Sequence, residues 1–513
     1  MWICCATGFT GLYPPCRPDV QNPNLCSEGI SNVTMNRFMN KGMYIAGQWI
    51  RGDEPTLTVT NPATGEVIGW VPMATDQHVV DAISAASDAF APWSSLAAAE
   101  RSRYLHEIAN VIERRLDELA LIVTREQGKP LAEARGEVQY GADFWRWYAE
   151  EARRVYGEIV PAAPGKRIEV IYQPTGVTAA ITPWNFPSSM ISRKVAPALA
   201  AGNTVVLKPA EQTPLSAVVL CEIFEEVGLP AGVVNLVTGD PVQIGGVIMA
   251  DKRVRHVTFT GSTEVGLLLA RQASEQLKRV SLELGGHAPF IVFDDADMDK
   301  AIAGILASKL RNMGQACIAA NRLLVQESVA DAFHRRLAEA LSELTLGNGE
   351  DAGVQVGPII DEANFRKIAE QVDEARKRGA RLVVGGKPWD GANNGYFYMP
   401  TLVTEVGTDT RLFREETFGP VLASTVFSTE DQAVAIANDC SYGLAAYLYT
   451  RDMSRSFRVA EALEFGVIGL NDALPMAAQA PFGGRKLSGI GREGGHWGIE
   501  EFLEAKYLSI SLN

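Results

Sequence analysis

The chain has 513 residues, 47 of them Lys or Arg and 61 Asp or Glu, for a formal charge of −14; that length is too great for one compact core, so two or three domains are expected. The acidic balance argues against nucleic acid as a partner, since phosphate contacts need concentrated Lys and Arg. No run approaches the roughly 18 uninterrupted apolar residues of a spanning helix, so a soluble, cytoplasmic protein without a membrane partner is expected.

Along the chain, residues 1–40 lack helical or strand periodicity and hold four of the seven cysteines, Cys4, Cys5, Cys16 and Cys26. They read as an irregular extension, or as translation assigned too far upstream, with Met35, Met39 or Met43 as the better start. Cysteines so placed are no disulfide framework, and the histidines form no spaced set with them, so no metal site is expected. Residues 97–126 read as one long amphipathic helix, with Leu105, Ile108, Val111, Ile112, Leu116, Leu119 and Ile122 on its apolar face.

From Val177 short apolar runs alternate with helical stretches: 177–181, 204–207, 233–237, 256–259 and 280–283. That alternation is expected of a parallel, doubly wound α/β sheet, whose ligands sit beyond the carboxyl ends of the strands. There the chain places Thr182-Pro183-Trp184-Asn185, Lys208-Pro209-Ala210-Glu211, Thr238-Gly239-Asp240 and Thr260-Gly261-Ser262. Gly261-Ser262 opens a helix whose free N–H groups could receive a pyrophosphate, so a dinucleotide cofactor is expected. The formal G-x-G-x-x-G at Gly489–Gly494 lacks a strand-turn-helix unit and reads as a turn. A second α/β region begins at residues 289–293, with helices near 301–310 and 329–341. Residues 167–172 and 507–512 read as strands without an obvious internal partner, for which edge pairing with another subunit is one hypothesis.

Two residues suggest covalent chemistry. Cys317 ends the polar, small-residue stretch Arg311-Asn312-Met313-Gly314-Gln315-Ala316, and Glu283 ends an apolar strand just before Gly285-Gly286. A thiol and a carboxylate can act as nucleophile and general base. A cysteine acyl hydrolase without a cofactor is the alternative from a different class. Cys221 and Cys440 read as structural.

These segments resemble the NAD(P)-dependent aldehyde dehydrogenases, through PWNFP at 183–187, KPAEQTP at 208–214, FTGST at 259–263, ELGG at 283–286, GQAC at 314–317, EETFGP at 415–420 and PFGG at 481–484. The resemblance implies a Rossmann-type cofactor domain (41–158 and 173–284), an α/β catalytic domain (285–480), and a small β oligomerisation element with the C-terminal segment (159–172 and 481–513), assembled as a homodimer or homotetramer. It implies that Cys317 attacks the aldehyde to form a thiohemiacetal, that Asn185 and the Cys317 N–H hold the oxyanion, and that Glu283 activates water to hydrolyse the thioester left by hydride transfer. Cofactor contacts carry over to Thr182, Trp184, Lys208, Glu211, Gly239, Gly261, Ser262, Glu416 and Phe418. Glu211 would accept from a free ribose 2′-hydroxyl and repel a 2′-phosphate, so NAD is expected ahead of NADP.

The chain is most similar to succinate-semialdehyde dehydrogenases, which implies a small anionic aldehyde as substrate. Arg193 and Arg311 would clasp its carboxylate, with Met476 and Phe482 also lining the site. Met476 stands where those enzymes carry a serine, which removes an anion contact, and Ala319 stands where some carry a second cysteine, which excludes a disulfide switch at that spacing. A longer or sulfonated anionic aldehyde is the alternative substrate.

Overall fold

The computed structural model describes residues 41–51, 56–392 and 394–512, so the expectation for residues 1–40 lies outside it. Two largely parallel sheets carry the architecture. The larger has eight strands in the spatial order Gln48–Ile50, Met43–Ile45, Val234–Leu236, Thr204–Lys208, Val177–Ile181, Val254–Thr260, Arg279–Glu283 and Gly489–Ile490. The five strands from Val234–Leu236 to Arg279–Glu283 run parallel. Runs such as Val205-Val206-Leu207 are buried without alternation, as a sheet covered on both faces by helices requires. Sequence order reverses between Val177–Ile181 and Val254–Thr260. Chain leaving the carboxyl ends of those neighbours diverges and opens a crevice there.

The second sheet orders Arg381–Val384, Thr401–Thr404, Val421–Phe427, Ala320–Gln326, Ala288–Val292, Ala445–Tyr449 and Val467–Leu470. All but the first of these run parallel. Only residues 284–287 separate Arg279–Glu283 of one sheet from Ala288–Val292 of the other, so Glu283 stands at the junction. Among the described residues no helix is long and apolar enough to cross a membrane.

Three sequence expectations are corrected. The helix over 97–126 is two helices, Ala98–Arg114 and Leu116–Gln127, separated at Arg115 with φ −102° and ψ 18°. The Arg115 guanidinium is tied to Glu118 and to Glu222 on the Leu215–Glu226 helix. A one-residue kink keeps the apolar residues in phase, so periodicity passes straight through it. The strands expected to lack internal partners pair with each other: Leu503–Ser511 runs antiparallel to Lys166–Pro174 over nine residues, and Glu158–Val160 completes a small sheet. The glycine-rich turn contains a short strand, Gly489–Ile490, which closes the edge of the large sheet beside Glu283.

One helix contact aligns the substrate side of the site. The helix Leu131–Glu151 buries Ala134, Val138, Ala142, Trp145 and Tyr148 along one stripe. It lies so close to the Ser189–Ala201 helix that a Cβ on Gly141 would sit 3.0 Å from Ser192 Oγ. Trp145 Nε1 donates to that same hydroxyl at 3.0 Å, so Tyr140 and Arg193 are held on facing helices.

Candidate active site

The chain entering Cys317 is strained and heavily tied. After the Met298–Leu310 helix, Asn312, Met313 and Gly314 take φ of 51°, 56° and 74° in succession. Left-handed backbone is tolerated by Asn and Gly but costs about 1 kcal/mol or more at Met, so the surroundings must hold it. Asn312 N donates to Glu133 Oε2 at 2.7 Å, and Asn312 Nδ2 donates to the carbonyls of Asn185 and Gln315 at 2.8 and 3.1 Å. Two glycines leave no room for a side chain: a Cβ on Gly314 would lie 2.3 Å from the Gly419 carbonyl oxygen, and one on Gly286 would lie 2.1 Å from that of Cys317. Cys317 as a residue is half-buried, and among the described residues its backbone N–H has no acceptor. Burial pushes the thiol up to about 12; Arg193 pulls it down, while Glu416, Glu283 and Glu493 push it further up.

Glu283 is buried, and neither carboxylate oxygen has a hydrogen-bond partner. Burial first, and the neighbouring Glu493 second, raise its proton affinity well above the ordinary carboxyl range, against the pull of Arg193 and Lys194. Asn185 donates from Nδ2 to the Gln315 carbonyl at 3.0 Å, and its Oδ1 is unpartnered. The Asn185 carbonyl receives a second donor, Lys129 Nζ, at 2.8 Å. Lys129 is fully buried and paired at 2.5 Å with Glu137, whose other oxygen accepts from Ser188 N and Ser189 N at 2.9 and 3.2 Å. One buried ion pair thus fixes both the Asn185 loop and the start of the next helix.

The crevice suits a dinucleotide. Ser262 caps the Thr263–Ser274 helix by accepting from Val265 N, and a Cβ on Gly261 would strike the Phe259 ring at 2.3 Å, so the approach to that helix end is bare backbone. Gly239, with φ 131°, would clash with Ala74 N at 2.9 Å if it carried a side chain. Lys208 Nζ lies 2.9 Å from Glu211 Oε2 at the end of its strand. Thr182 Oγ1 and Thr260 Oγ1 are buried without a partner, the first just past and the second at the carboxyl end of the two strands flanking the order reversal. Across the opening, Glu416 Oε1 accepts from Gly286 N at 2.9 Å, and burial lifts its carboxyl to about 7. Trp184 and Phe418, the latter at φ 55°, meet edge to face at 5.4 Å.

The two arginines expected to act as a pair are not equivalent. Arg193 is buried; its Nη2 lies 2.6 Å from Glu493 Oε2, and its Cζ sits 4.3 Å from the centre of the Phe482 ring. Phe482 and Glu493 exchange backbone hydrogen bonds at 2.7 and 2.8 Å, so one short bridge presents both the ring and the carboxylate to Arg193. Glu493 also pairs with Lys194 at 2.6 Å. The Arg193 charge is therefore offset within the protein, although its Nε proton lacks an acceptor among the described residues. Arg311 has no carboxylate partner among the described residues. Its Nη1 donates to Met476 Sδ at 3.3 Å, and its Cζ lies 5.0 Å from the Phe186 ring.

Cys317 feels the charges of Arg193, Glu416, Glu283 and Glu493, and Glu283 those of Glu493 and Arg193, which places the nucleophile, the buried carboxylate and one arginine in a single site. Sequence reading overlooked Glu493, Lys129, Glu133 and Glu137. Glu493 lies inside the glycine pattern set aside as a turn. The other three are spaced for a helix surface, and nothing local marks Lys129 and Glu137 as buried or Glu133 as a partner of Asn312 N.

The aldehyde dehydrogenase family model matches residues 49–508. The chain is 50% identical to a glutarate-semialdehyde dehydrogenase of Pseudomonas putida, over 91% of this chain and 97% of that protein. It is also 50% identical to a succinate-semialdehyde dehydrogenase [NADP(+)] of Escherichia coli, over 93% and 99%. A crystal structure of an E. coli NADP-dependent enzyme superposes with a TM-score of 0.91 at 49% identity, covering 93% of this chain and 99% of that one. A strained cysteine turn facing a buried glutamate across a dinucleotide crevice, together with these matches, means that the chain belongs to the aldehyde dehydrogenase family.

Proposed function

We propose that the protein oxidises a small anionic aldehyde to its carboxylic acid, with NAD as the favoured cofactor and succinic semialdehyde as the leading substrate. The observation that carries the anionic reading is Arg311: a guanidinium six residues before Cys317 with no carboxylate partner among the described residues, facing Met476 and Phe186. A cation held so close to apolar groups gains most from an anion arriving with the substrate. Arg193, already offset by Glu493, contributes N–H donors and little net charge.

In this reading the aldehyde carbon meets the Cys317 sulfur while the distal anion rests at Arg311. The oxyanion forms beside the Cys317 N–H, which has no acceptor among the described residues, and the second proton of Asn185 Nδ2. A bound NAD supplies the hydride acceptor. Lys208 and Glu211 would hold its adenosine ribose, the bare backbone at Gly261 and Ser262 its pyrophosphate, and Glu416 with Phe418 its nicotinamide half. Glu283 then takes a proton from the water that attacks the thioester; its raised proton affinity brings a carboxylate nearer to the neutral range where a general base works best. The Glu211 carboxylate supports NAD over NADP, by repulsion of a 2′-phosphate.

Assembly as a homodimer or homotetramer in the cytoplasm belongs to the same reading. Its support is the small three-stranded sheet, which leaves Ile159, Tyr172, Tyr507 and Ile510 exposed.

The test is NADH and NADPH formation by purified protein across succinic semialdehyde, a longer and a sulfonated anionic aldehyde, and neutral and cationic aldehydes, with Cys317→Ala as control. Preference for anionic aldehydes, lost in the variant, is expected. Preference for neutral or cationic aldehydes would overturn the substrate reading, and preference for the longer or sulfonated aldehyde would replace succinic semialdehyde.

A further inference from the structure

Beside Met476 lies an open hollow of about 450 Å³, lined by Tyr140 and Trp147 together with the charged Asp143, Arg146 and Glu150. On its Met476 side there are few ways to satisfy an anion: Met476 brings only a thioether, already accepting from Arg311, and the Arg193 guanidinium is engaged by Glu493 and covered by the Phe482 ring. The Arg146 guanidinium in the same hollow is taken up by Glu113, and Asp143 and Glu150 would repel an anion, which leaves the Tyr140 phenol as an uncharged donor that shares the hollow with Met476. Its ring is fixed edge to face against Phe144 at 4.9 Å, and Phe144 in turn lies 5.8 Å from the Arg193 guanidinium. Among the described residues its hydroxyl has no hydrogen-bond partner. Close approach of the two helices at Gly141 and Ser192 sets the register that brings Tyr140 opposite Arg193. Burial raises the phenol's proton affinity, the nearby charges of Arg193 and Arg311 act in the opposite sense, and Glu493 and Asp143 add to the rise, so it remains a neutral O–H donor at physiological pH.

We infer that the Tyr140 hydroxyl is a specificity-determining contact, donating a hydrogen bond to the distal anionic group of the substrate next to Arg311. It sits on a packed helix rather than a loop, with its ring wedged against Phe144, so little freedom is lost when the donor is used. A neutral aldehyde of equal length has no acceptor there and gains nothing from it. The inference rests on the anionic-aldehyde reading and adds to it a residue that sequence reading did not single out.

Tyr140→Phe removes one oxygen and keeps the ring packing. Two quantities are read for wild type and variant: kcat/KM for succinic semialdehyde and for butanal, which match in carbon number, and the inhibition constant of succinate against butanal oxidation. The variant should lose about tenfold in kcat/KM for succinic semialdehyde and in succinate inhibition, the scale of one hydrogen bond to a charged group. Its butanal kinetics and KM for NAD should change by less than about twofold. Equal losses for both aldehydes, or no loss for either, would overturn the role of Tyr140 while leaving the anionic reading intact. A wild-type enzyme that prefers butanal and ignores succinate would overturn both.

Discussion

Replacing Lys129 with Met tests whether one buried ion pair holds the oxyanion side of the site in place. Lys129 is 0% exposed, with Nζ 2.5 Å from Glu137 Oε2 and 2.8 Å from the Asn185 carbonyl. Methionine keeps most of the stem and removes the charge, leaving Glu137 buried without its cation. Deleting one partner of a buried pair costs about 3–5 kcal/mol. Glu137 keeps its bonds from Ser188 N and Ser189 N, so a loss near the lower limit is expected. The Asn185 carbonyl keeps Asn312 Nδ2 but loses its other donor, which frees the loop to shift its amide away from Cys317. Full loss of an oxyanion donor costs about 10²–10³ in rate, so partial displacement should slow acylation by about tenfold or more. The assays are the pre-steady-state rate of NADH formation at saturating aldehyde and NAD, and the urea midpoint of unfolding. Adding Glu137→Gln should recover part of the stability, because no unpaired charge is then buried, without recovering the rate. Wild-type NADH formation in a Lys129→Met protein that is measurably less stable would refute the positioning role. Unchanged stability would refute the account of the ion pair.

Glu493→Gln removes the like charge beside Glu283 and leaves Arg193 and Lys194 unneutralised, so the acidic limb of the kcat profile should move to lower pH by about one unit or more, with a loss of stability. Glu283→Gln should still form the acyl-enzyme, seen by mass spectrometry, while its hydrolysis slows by about 10²–10⁴. In the wild type, folding raises the Glu283 proton affinity, so the folded state holds a proton that the unfolded chain releases. Stability should therefore fall as pH rises from the ordinary carboxyl value of about 4.3 through the raised one, and that component should vanish in Glu283→Gln. In the cofactor-free enzyme, alkylation of Cys317 by iodoacetamide should climb close to tenfold per pH unit without levelling off below about pH 10, as a thiol pushed up to about 12 requires; a plateau near pH 8 would show a stabilised thiolate. Gly286→Ala should abolish NADH formation, since its Cβ would meet the Cys317 carbonyl oxygen at 2.1 Å and nothing but backbone is there to yield.

The five central strands were legible because a sheet buried on both faces needs unbroken apolar runs, and such runs between glycine- and polar-rich loops leave a clear local pattern. Cys317, Glu283 and the strand-end loops were legible for a related reason: chemistry and close backbone approach demand particular residue types at fixed spacing, as the clashes at Gly261 and Gly286 make plain. Tertiary structure alone decided the rest. Leu503–Ser511 found its partner in Lys166–Pro174, a pairing between distant segments that neither strand encodes by itself. Glu493 stood in a glycine-rich stretch that pattern reading set aside, and only folding showed it bridging Arg193 and Lys194. Arg193 and Arg311 are the same residue type, each a few positions from a family motif, yet one is in a close ion pair with a buried carboxylate and the other makes no ion pair among the described residues. Burial and charge pairing depend on which distant side chains converge, and a sequence states its local periodicities and residue chemistry while leaving that convergence to the fold.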